Sequence, residues 1–282
     1  MYLSSLIREA YENNGLVIGY VYGNMGYGKT SYALWTGFEV LKSWNRVLDY
    51  LFFDLHKAIN TMYNHIKREE RLKIMIFDDA GFYLNRLTWY EKDKILFMEL
   101  LNLARTISAG ILFTSPSHEI PRQILAKTNY RINVRPLHPE EIKRSEMALK
   151  SLESAKKYNL EAGGLAAAKG YQLITLPSFF KIVKKEYLDY YPLWYPIFEE
   201  YQKMRLKHIK KKLEEIKSAM KESREKILEE AKRIYMKTGN KEEVYKFLKK
   251  NIPRPTAYKW AQKIPQLVKL EKEIEKPKEV KT

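Results

Sequence analysis

Apolar residues come in short blocks through the first half of the chain and as spaced single positions through the second, and this difference predicts the elements. Residues 16–22 (LVIGYVY) form a short, β-branched apolar run bounded by glycines, the pattern of a strand buried on both faces of a parallel sheet. A helix over 29–44 follows directly. Further apolar runs at 47–55 and 72–77 alternate with helical stretches, 111–114 supplies another strand, and 131–134 closes the set. Strands separated by helical stretches predict an α/β fold around a parallel sheet.

Beyond residue 138 the pattern changes. Residues 139–157 read as helical, and GGLAAAKGYQLITLPSFFKIVKKEY gives strand-like alternation before an aromatic stretch, YLDYYPLWYPIF. The region 139–200 is therefore an accessory region that completes or extends a core of residues 1–138. Residues 201–237 read as a long linking helix, with Ile209, Leu213, Ile216, Met220 and Ile227 at heptad-like spacing. A lever, a helix packed on its own domain and a dimeric coiled coil all fit a seam of that length. Residues 238–270 form a last compact helical unit, and 271–282 a charged tail without core signals.

Composition narrows the chemistry. The 282 residues carry 51 Lys and Arg against 34 Asp and Glu, a net charge of +17 that favours a polyanionic partner, with nucleic acid first. A Lys-rich solvated surface is the plainer alternative. The chain has no cysteine, which excludes disulfides, thiolate zinc sites and thiol catalysis, and its five histidines are not closely paired. The sequence contains neither a signal-peptide pattern nor a run of ~18 apolar residues, so the expectation is a cytoplasmic protein without membrane insertion, in the host cytoplasm if virus-encoded.

The stretch GNMGYGKT, Gly23 to Thr30, has the form G-x-x-x-x-G-K-[ST] and lies between a predicted strand and a predicted helix. Glycines let backbone N–H groups converge on phosphate oxygens, and the helix adds its positive end. Gly23, Asn24, Met25, Gly26, Tyr27, Gly28, Lys29, Thr30 and Ser31 are the nucleotide-binding candidates, with ATP and Mg²⁺ as the ligands. Lys29 would reach the β- and γ-phosphates, and Thr30 would hold Mg²⁺. Some fifty residues on, KIMIFDDAG puts two carboxylates at the end of an apolar strand, on the side of a parallel sheet where ligands bind. Asp78 is the second Mg²⁺ candidate. Asp79 stands where a water-activating carboxylate is expected, or else caps the turn before Gly81. Thr114, ending the next strand, could orient water or simply end the strand.

In the last unit, EEVYKFLKKNIPRPTAYKWAQKI is similar to a helix-turn-helix, with helices over 242–250 and 255–263. The second helix of such a unit presents its N-terminal residues to the major groove, which nominates Arg254, Thr256, Tyr258, Lys259 and Lys263 for double-stranded DNA. A small helical bundle for protein contact is the alternative. Residues 204–282 hold 24 Lys and Arg against 12 Asp and Glu, so +12 of the net charge lies where the reading helix is placed.

The strand–loop–helix, the DD-ending strand and the polar-ended strand together resemble P-loop ATPases of the additional-strand division over residues 14–136. LARTISAGILFTS followed by ILAKTNYRINV is similar to the late core of FtsK and HerA type DNA motors. The high Lys, Ile and Tyr content also resembles ATPases of hyperthermophilic archaeal viruses and plasmids. The resemblance implies a homo-oligomer, with a ring as one form, in which an arginine from a neighbour stabilises γ-phosphate charge. Arg131 is the leading candidate, with Arg105 and Arg122 beside it. It implies ATP turnover coupled to DNA translocation, packaging or replication. Two departures stand out: Ser115 replaces the glutamine of those motors, and Asp79 their catalytic glutamate. The alternatives are a DnaA-like AAA+ initiator, which implies a helical lid where residues 165–187 read as strands, and a nucleotide-switched DNA-binding regulator with little turnover.

Overall fold

The computed structural model describes residues 1–84, 91–116, 120–151, 164–176 and 181–274. They form two compact units, Met1–Arg205 and Leu206–Thr282.

The first unit runs α1 (Tyr2–Glu12), β1 (Val17–Tyr22), α2 (Lys29–Leu41), α3 (Trp44–Asp49), β2 (Leu51–Phe52), α4 (Leu55–Lys67), β3 (Met75–Phe77), α5 (Ala80–Tyr83), α6 (Lys92–Leu100), α7 (Ala104–Ile107), β4 (Gly110–Ser115), α8 (Arg122–Lys127), β5 (Tyr130–Pro136), α9 (Pro139–Ser151), β6 (Leu165–Thr175) and β7 (Lys181–Pro192). One seven-stranded sheet takes the order β2-β3-β4-β1-β5-β6-β7. The first five strands are parallel, and β6 and β7 continue the sheet antiparallel. β4 is inserted between β1, which leads into the glycine loop, and β3, which leads into the two aspartates.

Both faces of the sheet are covered over β1, β3 and β4, which is why those strands read as unbroken apolar runs. On one face Leu3 and Ile7 of α1, Leu34 and Trp35 of α2 and Val47 of α3 pack with Val21, Ile76, Leu112 and Ile132. On the other, Ala58 and Met62 of α4, Phe97 of α6 and Ile124 of α8 pack with Ile18, Tyr20, Phe77 and Phe113.

Three expectations are corrected. The run 47–55 is not one strand: Ser43 caps α3 by accepting from the Arg46 N–H at 3.5 Å, Trp44 and Val47 enter the core from that helix, and only Leu51–Phe52 is strand. The helix expected over 29–44 ends at Leu41, where Lys42 turns left-handed at φ 58°. The run 72–77 contributes a bridge at Leu72 and a strand over Met75–Phe77. Of the helix expected over 139–157, the part beyond residue 151 lies outside the described residues.

Helix α10 (Phe198–Thr238) starts in the first unit, and the unit boundary falls inside it between Arg205 and Leu206. Ile209, Leu213, Ile216 and Met220 of the heptad-like seam are exposed. In the second unit the end of α10 packs with α11 (Lys241–Asn251) and α12 (Arg254–Ile274) around Ala231, Val244, Leu248, Ala257, Ala261, Ile264 and Val268. Residues 271–274, read as tail, extend α12, and 275–282 lie outside the described residues. Among the described residues no helix is long and apolar enough to cross a membrane.

Candidate functional site

The site is built where β1 and β3 end. Gly23, Gly26 and Gly28 all have positive φ, at 146°, 81° and 86°. A side chain at Gly23 would meet the Val134 carbonyl at 2.4 Å and one at Gly28 the Leu193 side chain at 2.3 Å, whereas Gly26 faces open space and is required by its backbone alone. Gly28 is the N-cap of α2, so the loop delivers its N–H groups at the positive end of a 13-residue helix. Lys29 is buried and folds back over the loop, donating to the carbonyls of Gly23 (3.0 Å) and Asn24 (2.9 Å). Asn24, Met25 and Gly26 are exposed at the loop's crest. Tyr27 and Ser31 are tied elsewhere: the Tyr191 hydroxyl donates to the Tyr27 carbonyl (3.2 Å), and the Ser31 hydroxyl to the Leu193 carbonyl (2.7 Å). The strand β7 and the turn after it thus hold the loop and α2 in place.

Asp78 is fully buried and is the centre of a hydroxyl cluster. Its Oδ1 accepts from Thr30 (2.9 Å) and Thr114 (2.7 Å), and its Oδ2 from Tyr201 (2.8 Å). Burial and the adjacent Asp79 charge push the Asp78 carboxyl up, and the three donors oppose them. Thr114, from the inserted strand β4, also accepts from the Asp79 N–H at 3.0 Å, so one buried hydroxyl orders both aspartates. Asp79 itself is left-handed at φ 48°, a conformation aspartate tolerates better than most residues, and its Oδ2 pairs with Arg205 at 2.7 Å. Burial lowers the Lys29 pKa, Asp79 and Asp78 work against that, and Arg205 adds to it. For Arg205, burial acts to lower the pKa, and Tyr201, Asp79 and Asp78 outweigh it to leave it raised.

The Thr30 hydroxyl and Asp78 carboxylate are oxygen donors of the kind Mg²⁺ takes. Among the described residues no cluster of three or more His, Cys, Asp or Glu could hold a metal ion.

The structure brings Lys29, Thr30, Asp78, Asp79 and Thr114 together. It does not bring Arg131 to them: Arg131 is exposed on β5 beside Tyr20, short of the strand ends, and Arg105 and Arg122 are also exposed away from the pair. Among the described residues, the guanidinium paired with Asp79 is that of Arg205. Neither Arg205 nor Tyr201 stands out in the sequence, because both lie in a polar helix more than 120 residues downstream of Asp78. In the second unit Arg254, Thr256, Tyr258, Lys259 and Lys263 are all exposed on α12, opposite the buried Ala257, Ala261 and Ile264. Tyr258 sets its ring edge-on to Tyr245 of α11.

Fold and cluster together define a mixed α/β protein whose glycine loop, lysine and paired aspartates meet at the ends of β1 and β3. No family model matches the chain. It is 36% identical over 125 residues to protein B-251 of Sulfolobus spindle-shape virus 1, covering 42% of this chain and 50% of that protein. It is 24% identical over 155 residues to protein ORF286 of Acidianus two-tailed virus, covering 50% and 54%. The chain thus spans about half the length of the curated relatives it matches. The genome packaging NTPase B204 of Sulfolobus turreted icosahedral virus 2, solved with ATP-gammaS, superposes over 60% of this chain and 97% of its own at 13% identity and a TM-score of 0.36, which carries no argument about this chain.

Proposed function

We propose that the chain is an ATPase that binds ATP with Mg²⁺ at its glycine loop, hydrolyses it, and couples turnover to the handling of double-stranded DNA in a virus or plasmid setting. The observation that carries the reading is the Thr30–Asp78 hydrogen bond, which joins the loop to the acidic strand beside the Lys29 ammonium. It supports reading the loop as a phosphate cradle, Lys29 as its cation and the Thr30 and Asp78 oxygens as the metal ligands.

In this reading backbone N–H groups of residues 24–28 cradle the phosphates and Lys29 leaves its two loop carbonyls to neutralise them. Thr30 and Asp78 hold Mg²⁺, which when bound offsets phosphate charge. Asp79 takes the proton from a water as its oxygen bonds to the γ-phosphorus and the bond to the bridging oxygen breaks. Thr114 keeps the two aspartates in register. The exposed residues Arg254, Thr256, Tyr258, Lys259 and Lys263 meet duplex DNA, and the chain assembles as a homo-oligomer, a ring being one form, in which an exposed arginine such as Arg131 serves a neighbour's site. The virus-encoded relatives fit that setting.

A second reading, a nucleotide-switched DNA-binding regulator with little turnover, draws support from one observation: Asp79 is shorter than glutamate and is held by Arg205. A DnaA-like initiator fits less well, because strands β6 and β7 occupy the region where that group implies a helical lid.

The test is ATP binding and hydrolysis with and without duplex DNA. Lys29→Ala is expected to lower ATP affinity or turnover by about tenfold or more while leaving the circular dichroism spectrum unchanged, since a charge-assisted phosphate contact is worth roughly 1.5–3 kcal/mol. DNA-stimulated turnover supports the motor; tight binding with negligible turnover supports the switch. Wild-type chain that binds no nucleotide overturns both.

A further inference from the structure

Helix α10 opens by placing two side chains, one helical turn apart, on the two aspartates: the Tyr201 hydroxyl on Asp78 at 2.8 Å and the Arg205 guanidinium on Asp79 at 2.7 Å. Residues four apart on a helix share a face, so both contacts belong to a single docking of that helix. Asp79 adjoins Asp78, which accepts from Thr30 in the first turn of α2, so the Arg205 guanidinium is held one residue from the carboxylate that joins the acidic strand to the loop. Its partner Asp79 is a single carboxylate with 38% of its side chain exposed, and Arg205 is itself 41% exposed. An ion pair open to solvent holds its partners weakly, whereas a phosphate offers a guanidinium more charge and two parallel hydrogen bonds.

We propose that Arg205 is the cation that reads the terminal phosphate within the same chain: it pairs with Asp79 when that phosphate is absent and exchanges to it when a triphosphate is bound. The assignment rests on the nucleotide reading above and adds a discriminating residue to it. Tyr201 is the positioning residue of the pair, holding the first turns of α10 against the buried Asp78.

The test is a comparison of ATP and ADP affinities, with Mg²⁺, for the full-length wild type, Arg205→Gln and Arg205→Lys, by titration calorimetry. Loss of a charge-assisted phosphate contact is expected to weaken ATP by about tenfold to a hundredfold. ADP, lacking the phosphate that is read, should change by less than about twofold, and Arg205→Lys should recover part of the ATP loss because it keeps the charge and loses the fork. Equal loss for both nucleotides, or loss for neither, overturns the assignment while leaving the nucleotide reading intact. If the wild type binds neither nucleotide, the nucleotide reading fails and this assignment with it. If Arg205→Gln does not fold, the Arg205→Lys ratio of ATP to ADP affinity decides alone, an unchanged ratio counting against the proposal.

Discussion

At the scale of single residues, the glycine loop distinguishes backbone need from space. Gly26 and Gly28 share a left-handed φ, but a Cβ at Gly26 meets nothing within 4 Å, whereas one at Gly28 drives into Leu193. Gly26→Ala should therefore cost about 1 kcal/mol of unfolding free energy, the strain of a left-handed residue alone. Gly28→Ala should cost about 2–4 kcal/mol, strain plus overpacking, and the two are separated by urea titration. A second pair of residues shows how charge enters stability. Glu141 accepts from Arg135 through both oxygens (2.6 and 2.7 Å) and from the His138 N–H (2.9 Å), a capping contact at the start of α9. The Arg135 hydrogen bonds hold its pKa at about 2, below the usual 4.5. A carboxyl depressed in the folded state stabilises above its ordinary pKa and loses that contribution as pH falls from about 4.5 through about 2. Glu141→Gln should accordingly cost about 1 kcal/mol at pH 7, and its difference from the wild type should vanish across that window in denaturation curves. The loop glycines were legible in the sequence because their spacing is local, and Asp78 because it directly follows an apolar strand. Tyr201 and Arg205 were not, since their partners lie more than 120 residues away and nothing in the polar pattern of α10 marks them.

At the scale of elements, the strands most legible were those buried on both faces. β1 and β4 were readable as apolar runs because helices cover them above and below, whereas β5 buries only alternate residues, Tyr130, Ile132 and Val134, on one face. The run 47–55 misled because a buried helix turn and a buried strand present the same residues: Trp44 and Val47 enter the core from α3, and only Leu51–Phe52 pairs with β3. The hairpin β6–β7 was visible as alternation, but its place was not, because register against β5 depends on pairing between Arg131 and Tyr171 across a long connection. One side chain fixes where β1 and β5 meet. Asn129 accepts from the Ile18 N–H at 2.7 Å and donates to the Leu16 carbonyl at 2.9 Å, standing in for a strand partner just before the β1–β5 ladder begins. Asn129→Ala leaves that N–H of a buried residue unsatisfied, at a cost of about 1–3 kcal/mol. Faster amide hydrogen exchange at Ile18, with little change at Leu112, is the expected signature; uniform acceleration across the sheet would place the effect elsewhere.

At the scale of the whole molecule, charge is divided unequally, and this bears most directly on the DNA proposal. Residues 204–282 hold +12 of the +17, and the side chains proposed to meet DNA are exposed on α12 while its opposite face is buried. A general solvated surface and a nucleic-acid surface differ in what a localised charge change does. If basicity alone attracts the polyanion, reversing any two exposed lysines should weaken DNA binding alike. If α12 is the reading element, Lys259→Glu with Lys263→Glu should weaken it far more than Lys221→Glu with Lys226→Glu on α10, although both variants change net charge equally. Each phosphate contact contributes about 0.9 to the slope of log affinity against log salt, so the α12 variant should also lower that slope by about 2 and the α10 variant should leave it unchanged. Fluorescence anisotropy on one duplex over a salt series measures both quantities. Equal losses and equal slopes would reduce the second unit to a basic surface without an assigned reading helix. Neither pair lies in the first unit, so nucleotide affinity in the absence of DNA should be the same for both variants and the wild type, which makes it the internal control for folding.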